Sequence, residues 1–210
     1  MDAFALRLAA DRERIRSLAQ GSQGRIVIIS EPTAAYPRCE LELRYATAAS
    51  PAYPSARREA SRVSILFGER YPFLPPSASF LTPIHHPNVY PSGLVCLGTR
   101  WLASEGMDLF VQRLIRLMTF DPLLVNVHSA ANPAALHWYL QARAQHPEAF
   151  PTERVTFDAR DTGGNVRWHE QETQRVVIDC PRCRGKLRLP AGRRGVVRCP
   201  RCGAEFEATT

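Results

Sequence analysis

Tyr71-Pro72-Phe73-Leu74-Pro75-Pro76 opens a stretch that continues through Ser77–Leu81 to His86-Pro87-Asn88, Gly93, Cys96-Leu97 and Trp101. Only its middle reads as a strand, around Ala78–Leu81. From 83 to 105 neither the helical nor the strand period is present. A long aperiodic segment inside a compact domain is usually functional, because regular elements position it and do not need it for packing. The segment holds a cysteine after Ser92-Gly93, in small and irregular surroundings that present a thiol without burying it.

The flanks supply the scaffold. Phe4, Leu8, Ile15 and Leu18 recur at helical spacing among Arg and Asp/Glu, which predicts an amphipathic helix over 3–19, ended by Gly21 and Gly24. Arg25–Ile29 is a short β-branched run. Residues 39–45 alternate, with Cys39, Leu41, Leu43 and Tyr45 on one face and Glu40, Glu42 and Arg44 on the other; this predicts a half-buried antiparallel strand. Cys39 then belongs to the core and is not a reactive thiol. A Pro/Ala/Ser-rich loop at 48–60 precedes a third strand, Val63–Phe67. Beyond the irregular segment, helical spacing returns at Leu109, Val111, Leu114, Ile115 and Met118. It returns again over Ala134–Ala144, after Asn132 at the N-cap and Pro133 in the first turn. Helix, four strands in a meander, irregular segment, helices: the class is α+β.

The assembled motif resembles the ubiquitin-conjugating enzyme family. That family carries a YPFxPP segment, a strand, an HPN tripeptide, a glycine, an acceptor cysteine eight residues after the asparagine, and a tryptophan shortly beyond. The resemblance covers residues 1–150. It implies a UBC-like fold in which Cys96 accepts a ubiquitin-like modifier from an activating enzyme and loses it to an amine of a target protein. It also implies that Asn88 stabilises the oxyanion of aminolysis or supports the loop that does so. His86 then has a structural role, bonding the loop backbone, while Phe73 lies where an activating enzyme or ligase touches. Gly98 replaces the Asp or Ser common two residues after the cysteine, and Leu102-Ala103-Ser104-Glu105 replaces the family's Ser-Pro-Ala stretch. No acidic gate is evident in Leu123–Ala131.

The last 31 residues hold Cys180-Pro-Arg-Cys183 and Cys199-Pro-Arg-Cys202, a C-x₂-C-x₁₅-C-x₂-C pattern. Four thiolates make a closed structural zinc site with no open position for catalysis. Residues 175–210 are therefore expected to be a zinc ribbon holding one ion, with strands around Leu187, Leu189, Val196 and Val197 and a turn at Gly192 and Gly195. Residues 151–174 are expected to be a linker.

The net charge of +7 is uneven: residues 175–210 hold nine Lys+Arg against three acids. Such a tail suits an acidic protein surface or nucleic acid. Of 27 basic residues only Lys186 is a lysine. Arginine richness and the departures from the family pattern point to a bacterial relative from an operon encoding a modifier, an activating enzyme and an isopeptidase, a setting linked to anti-phage defence. The amino terminus has no basic-then-apolar leader and no run reaches membrane-span length, so a cytoplasmic location without membrane contact is expected. The alternative to an enzyme is an inactive adaptor of the same fold that binds nucleic acid or a partner protein through its ribbon.

Overall fold

The structure, a computed structural model, describes residues 3–98, 101–157, 175–190, 194–199 and 201–209. Contacts divide the chain into two units, Met1–Gly164 and Asn165–Thr210.

In the first unit, helix α1 (Ala3–Gly21) is followed by β1 (Ile26–Ser30), β2 (Arg38–Leu43), the two-residue pair β3 (Thr47–Ala48) and β4 (Arg57–Arg58), then β5 (Ser61–Leu66) and β6 (Ser77–Phe80). Helices α2 (Met107–Met118) and α3 (Pro133–Gln145) come after the irregular segment. The main sheet has the order β1-β2-β5-β6, antiparallel throughout, which is the expected meander. Cys39 pairs with Ile65 and Leu41 with Val63, and all four are fully buried, so the alternation of β2 places its apolar side on the core. No helix among the described residues is long and apolar enough to cross a membrane.

Two clusters hold the unit together. In the first, Leu8, Ile15 and Leu18 of α1 pack with the inward face of the sheet and with Phe110, Leu114, Ile115 and Met118 of α2. Each such side chain contributes about 1.5–3 kcal/mol when fully buried. In the second, Phe120 lies among Tyr53, Tyr139 and Phe150, fixing α3 against the loop before it. Asn132 caps α3 as expected, its side chain accepting from the Ala135 N–H at 3.1 Å with Pro133 in the first turn.

The structure differs from expectation at three places. First, the buried stripe of α1 is Leu8, Asp11, Ile15 and Leu18, so a carboxylate occupies a core position. Asp11 accepts from Arg7, Arg14 and the Tyr71 hydroxyl, and from the Met107 N–H at 3.3 Å. Burying a charge is tolerated here because it is surrounded by donors. Second, the segment expected to be linker from 151 begins as part of the first unit. Thr152 donates through its hydroxyl to the Ala46 carbonyl and through its N–H to that of Thr119, Glu153 pairs with Arg25, and Val155 and Phe157 pack on the core. The rest of that segment, 158–174, lies outside the described residues.

The third difference is in the second unit, whose described residues form two hairpins, β7 (Arg175–Asp179) with β8 (Lys186–Pro190) and β9 (Arg194–Arg198) with β10 (Glu205–Thr209). Gly195 lies inside β9 and not in a turn. Gly192 lies outside the described residues.

Candidate functional site

Asn88 and Cys96 are the two ends of a tight hairpin. The Cys96 N–H donates to the Asn88 carbonyl at 2.8 Å, and further in, the Tyr90 N–H donates to Leu94 at 2.9 Å and the Gly93 N–H to Tyr90 at 2.8 Å. The eight-residue interval is thus the length of a closed loop. The hairpin docks on β6, where the Phe80 N–H donates to the Gly93 carbonyl and the Val95 N–H to that of Ala78. Gly93 sits at φ +89°, and a Cβ there would come within 2.5 Å of the Phe80 carbonyl oxygen. Only glycine fits such an approach.

The Asn88 side chain locks this arrangement. It is 1% exposed, and its Nδ2 donates to the carbonyls of Cys96 and Leu124, each at 3.1 Å. Its Oδ1 accepts the Asn126 N–H at 2.9 Å. Both amide protons are therefore engaged with the backbone, and of the two roles expected for Asn88 the geometry displays loop support. Asn126, which sequence reasoning missed, carries the bond outward: its Oδ1 accepts the N–H groups of His128 and Ser129. Its Nδ2 lies 3.8 Å from where a Cβ on Gly98 would stand, two residues beyond the cysteine.

His86 is fully buried, and its Nδ1 accepts the Asn88 N–H at 3.0 Å. That bond leaves the ring proton on Nε2, which faces the Leu117 carbonyl in a contact short of good hydrogen-bond geometry. Its ring lies 4.3 Å from that of Phe120. Burial pushes its pKa down to about 3. A general base is most effective with a pKa near the working pH, so His86 serves as a structural acceptor. His85 meets Trp138 edge-on, with ring centroids 4.9 Å apart.

Cys96 itself is half-buried, whereas Cys39 is fully buried with its thiol pushed up to about 12 by desolvation. The two cysteines are thus separated by environment as the strand pattern implies. Around the site, Trp101 donates through Nε1 to the Pro72 carbonyl at 2.6 Å and packs between Tyr71 and Phe110. Arg7 reaches from α1 to the Ala103 and Glu105 carbonyls. The missed Asp11 network therefore ties the first helix, Tyr71 and the segment after Trp101 into one unit. The available signal was an acidic residue on a core position of the apolar stripe. Phe73 is 79% exposed.

In the second unit the four cysteines converge. Their sulfurs all lie within 4.8 Å of one another, with Cys180 to Cys202 and Cys183 to Cys199 each at 3.7 Å. A tetrahedral ion with bonds of about 2.3 Å to sulfur requires sulfurs about 3.8 Å apart, so the cluster could hold a metal ion such as zinc. Each pair sits in the same turn. The Arg184 N–H donates to Cys180 and the Gly203 N–H to Cys199, with Arg184 at φ +54° and Gly203 at φ +71°. The Cys202 N–H above all draws the Cys199 thiol down to about 7. Against the Ala204 N–H, desolvation and the neighbouring thiols push that of Cys202 up to about 11, so the two share one negative charge until a cation joins them.

These features define an α+β domain built on an antiparallel meander, with a separate four-cysteine module. Residues 50–151 match the family described as ubiquitin-conjugating enzyme. SUMO-conjugating enzyme UBC9 of Caenorhabditis elegans is 35% identical over 104 residues, 47% of this chain and 60% of that protein. Ubiquitin-conjugating enzyme E2 2 of Debaryomyces hansenii is 35% identical over 88 residues, 40% of this chain and 50% of that protein. The chain thus spans between half and three-fifths of the length of these relatives. The solved structure of S. cerevisiae Ubc12 aligns with a TM-score of 0.46 and 22% identity, over 67% of this chain and 76% of that one. The family match and the relatives support the UBC-fold ubiquitin-conjugating enzyme family for this part of the chain.

Proposed function

We propose that the chain is a ubiquitin-conjugating-type transferase that carries a ubiquitin-like modifier as a thioester on Cys96. The observation that carries the reading is the hairpin, which fixes the backbone of a half-buried cysteine through both the main chain and the side chain of Asn88. In the first step the Cys96 thiolate attacks the modifier's C-terminal carbonyl on the activating enzyme. A new C–S bond forms and the activating enzyme's thiol leaves. In the second, an amine of the target attacks the same carbonyl, a C–N bond forms, the Cys96 thiol is released and the amine gives up a proton.

Neither step needs a cofactor, and His86, held neutral, takes no proton in them. Phe73, Leu6 and Leu102 offer exposed apolar surface for the activating enzyme or a ligase. The four cysteines hold one structural zinc. The setting is a bacterial operon for modifier conjugation, cytoplasmic and tied to anti-phage defence, which the neighbouring genes would reveal.

The test uses the activating enzyme and modifier encoded beside this gene, with ATP. Wild type should form an adduct that thiol reductant removes, Cys96→Ser a reductant-resistant oxyester, and Cys39→Ala a wild-type adduct. An adduct that survives in Cys96→Ala and vanishes in Cys39→Ala would overturn the assignment.

A further inference from the structure

The two cysteine turns of the second unit carry more cations than the thiolates need, and they bring them together. Arg182, Arg184, Lys186 and Arg201 are all exposed. A Cβ added to Gly185 would lie 3.4 Å from Cδ and 3.8 Å from Cβ of Arg201, so the stem of that arginine from the second turn crosses the first turn at Gly185. Arg184 and Lys186 flank the crossing on either side. Among the described residues of this unit the only ion pair is Arg194 with Glu207; Asp179 stands opposite Lys186 in the β7–β8 register without pairing with it, and these three arginines have no ion pair there.

Nine basic residues against three acids leave residues 175–210 at +6. Four thiolates around one divalent ion subtract two, and the loaded module keeps a net charge of about +4. The composition also limits what such a surface can recognise. Residues 175–210 contain no Asn or Gln to read base edges, and Phe206 is their single aromatic residue. Phe206 is half-buried and packs on the cysteine cluster. Protein interfaces concentrate their binding energy in aromatic and large apolar anchors at a desolvated centre, whereas the exposed apolar residues recorded for this unit are two valines, Val177 and Val196, neither of them in a cysteine turn. A single-stranded nucleic acid site would need stacking platforms. Guanidinium groups without apolar anchors suit phosphate oxygens, which position a duplex without reading it.

We propose that Arg184, Lys186 and Arg201 form a sequence-independent binding face for the phosphate backbone of duplex nucleic acid. The face is independent of the chemistry at Cys96. Three neutralised phosphates give a log–log salt slope of about −2.7, so affinity falls roughly 40-fold between 50 and 200 mM salt.

The test is fluorescence anisotropy of the full-length zinc-loaded chain with a labelled 20-base-pair duplex, titrated in KCl. Wild type should show the slope above, and two unrelated duplex sequences should bind within about twofold. The variant Arg184→Gln/Lys186→Gln/Arg201→Gln should retain one zinc per chain, bind at least about tenfold more weakly at 50 mM salt and have a slope near zero. The charge-preserving variant Arg184→Lys/Arg201→Lys should keep the slope, which separates charge from loss of fold. Cys96→Ser should bind as wild type. A triple variant that holds zinc and binds the duplex as wild type would overturn the proposal. Tighter binding of labelled polyglutamate than of duplex would overturn it in favour of an acidic protein partner.

Discussion

Acidification should destabilise the first unit through one buried ring. His86 has an ordinary pKa of about 6.5 when unfolded and one near 3 in the fold. At pH 8 the ring is neutral in both states and contributes no pH dependence. As pH falls through 6.5 the unfolded chain binds a proton that the folded chain refuses until about pH 3, so stability is lost across that window. At pH 5 the unfolded state is favoured by a factor of about 33, or about 2 kcal/mol, rising to about 4 kcal/mol at pH 3. The informative variant is His86→Asn, whose Oδ1 can replace Nδ1 as acceptor for the Asn88 N–H but does not titrate. It should be about 1–3 kcal/mol less stable than wild type at pH 8, having lost the contact with Phe120. Urea unfolding at pH 8, 6.5 and 5 gives the readout. Other titrating groups are common to both proteins and cancel in the difference, so the wild type should lose about 2 kcal/mol more than the variant between pH 8 and pH 5. Parallel stability curves would refute the assignment of His86 as a neutral structural acceptor.

Asn88→Ala leaves the Cys96 and Leu124 carbonyls and the Asn126 N–H without their partner. At about 1–3 kcal/mol per buried unsatisfied group, thermal melts should show a loss of several kcal/mol, with slower discharge of Cys96 accompanying it. Wild-type stability in that variant would contradict the locking role. Gly93→Ala should cost more than about 2 kcal/mol in urea melts, because the added methyl meets the Phe80 carbonyl and φ is positive. Replacing Cys180 and Cys183 by serine should abolish bound zinc, measured by elemental analysis, while the thioester at Cys96 still forms; loss of charging would show that the catalytic unit depends on the metal. If the proposed transfer occurs, any conjugate the chain forms on itself through lysine should map to Lys186 by mass spectrometry, since the sequence has no other lysine.

What could be read from the chain was whatever depends on local period or local chemistry. The alternation at Cys39–Tyr45, the cap at Asn132 and the paired cysteines each carry their meaning within a few residues, and the structure places them accordingly. Asp11 could not be read in this way. Its donors Tyr71 and Met107 arrive from far along the sequence, and only their arrival makes a carboxylate acceptable in a helix stripe. The first residues of the expected 151–174 linker pack on the first unit for the same reason, because the anchors Ala46 and Thr119 are distant in sequence. The Asn88–Cys96 interval was legible as a number; that the number is the circumference of a hydrogen-bonded hairpin needed coordinates.

The ion pairs of the first unit have a chemical corollary. Arg16 with Glu31, Arg25 with Glu153, Arg113 with Glu105 and Arg116 with Asp121 all draw their cation from guanidinium. Guanidinium stays protonated at any physiological pH and offers no lone pair to an electrophile, whereas an ammonium group is in equilibrium with a nucleophilic amine. A surface built this way keeps its electrostatic ties while presenting no amine nucleophile, so a thioester on Cys96, as proposed above, would find no competing acceptor among these cations. Exchanging these arginines for lysines would preserve every charge and give the same surface four nucleophilic amines.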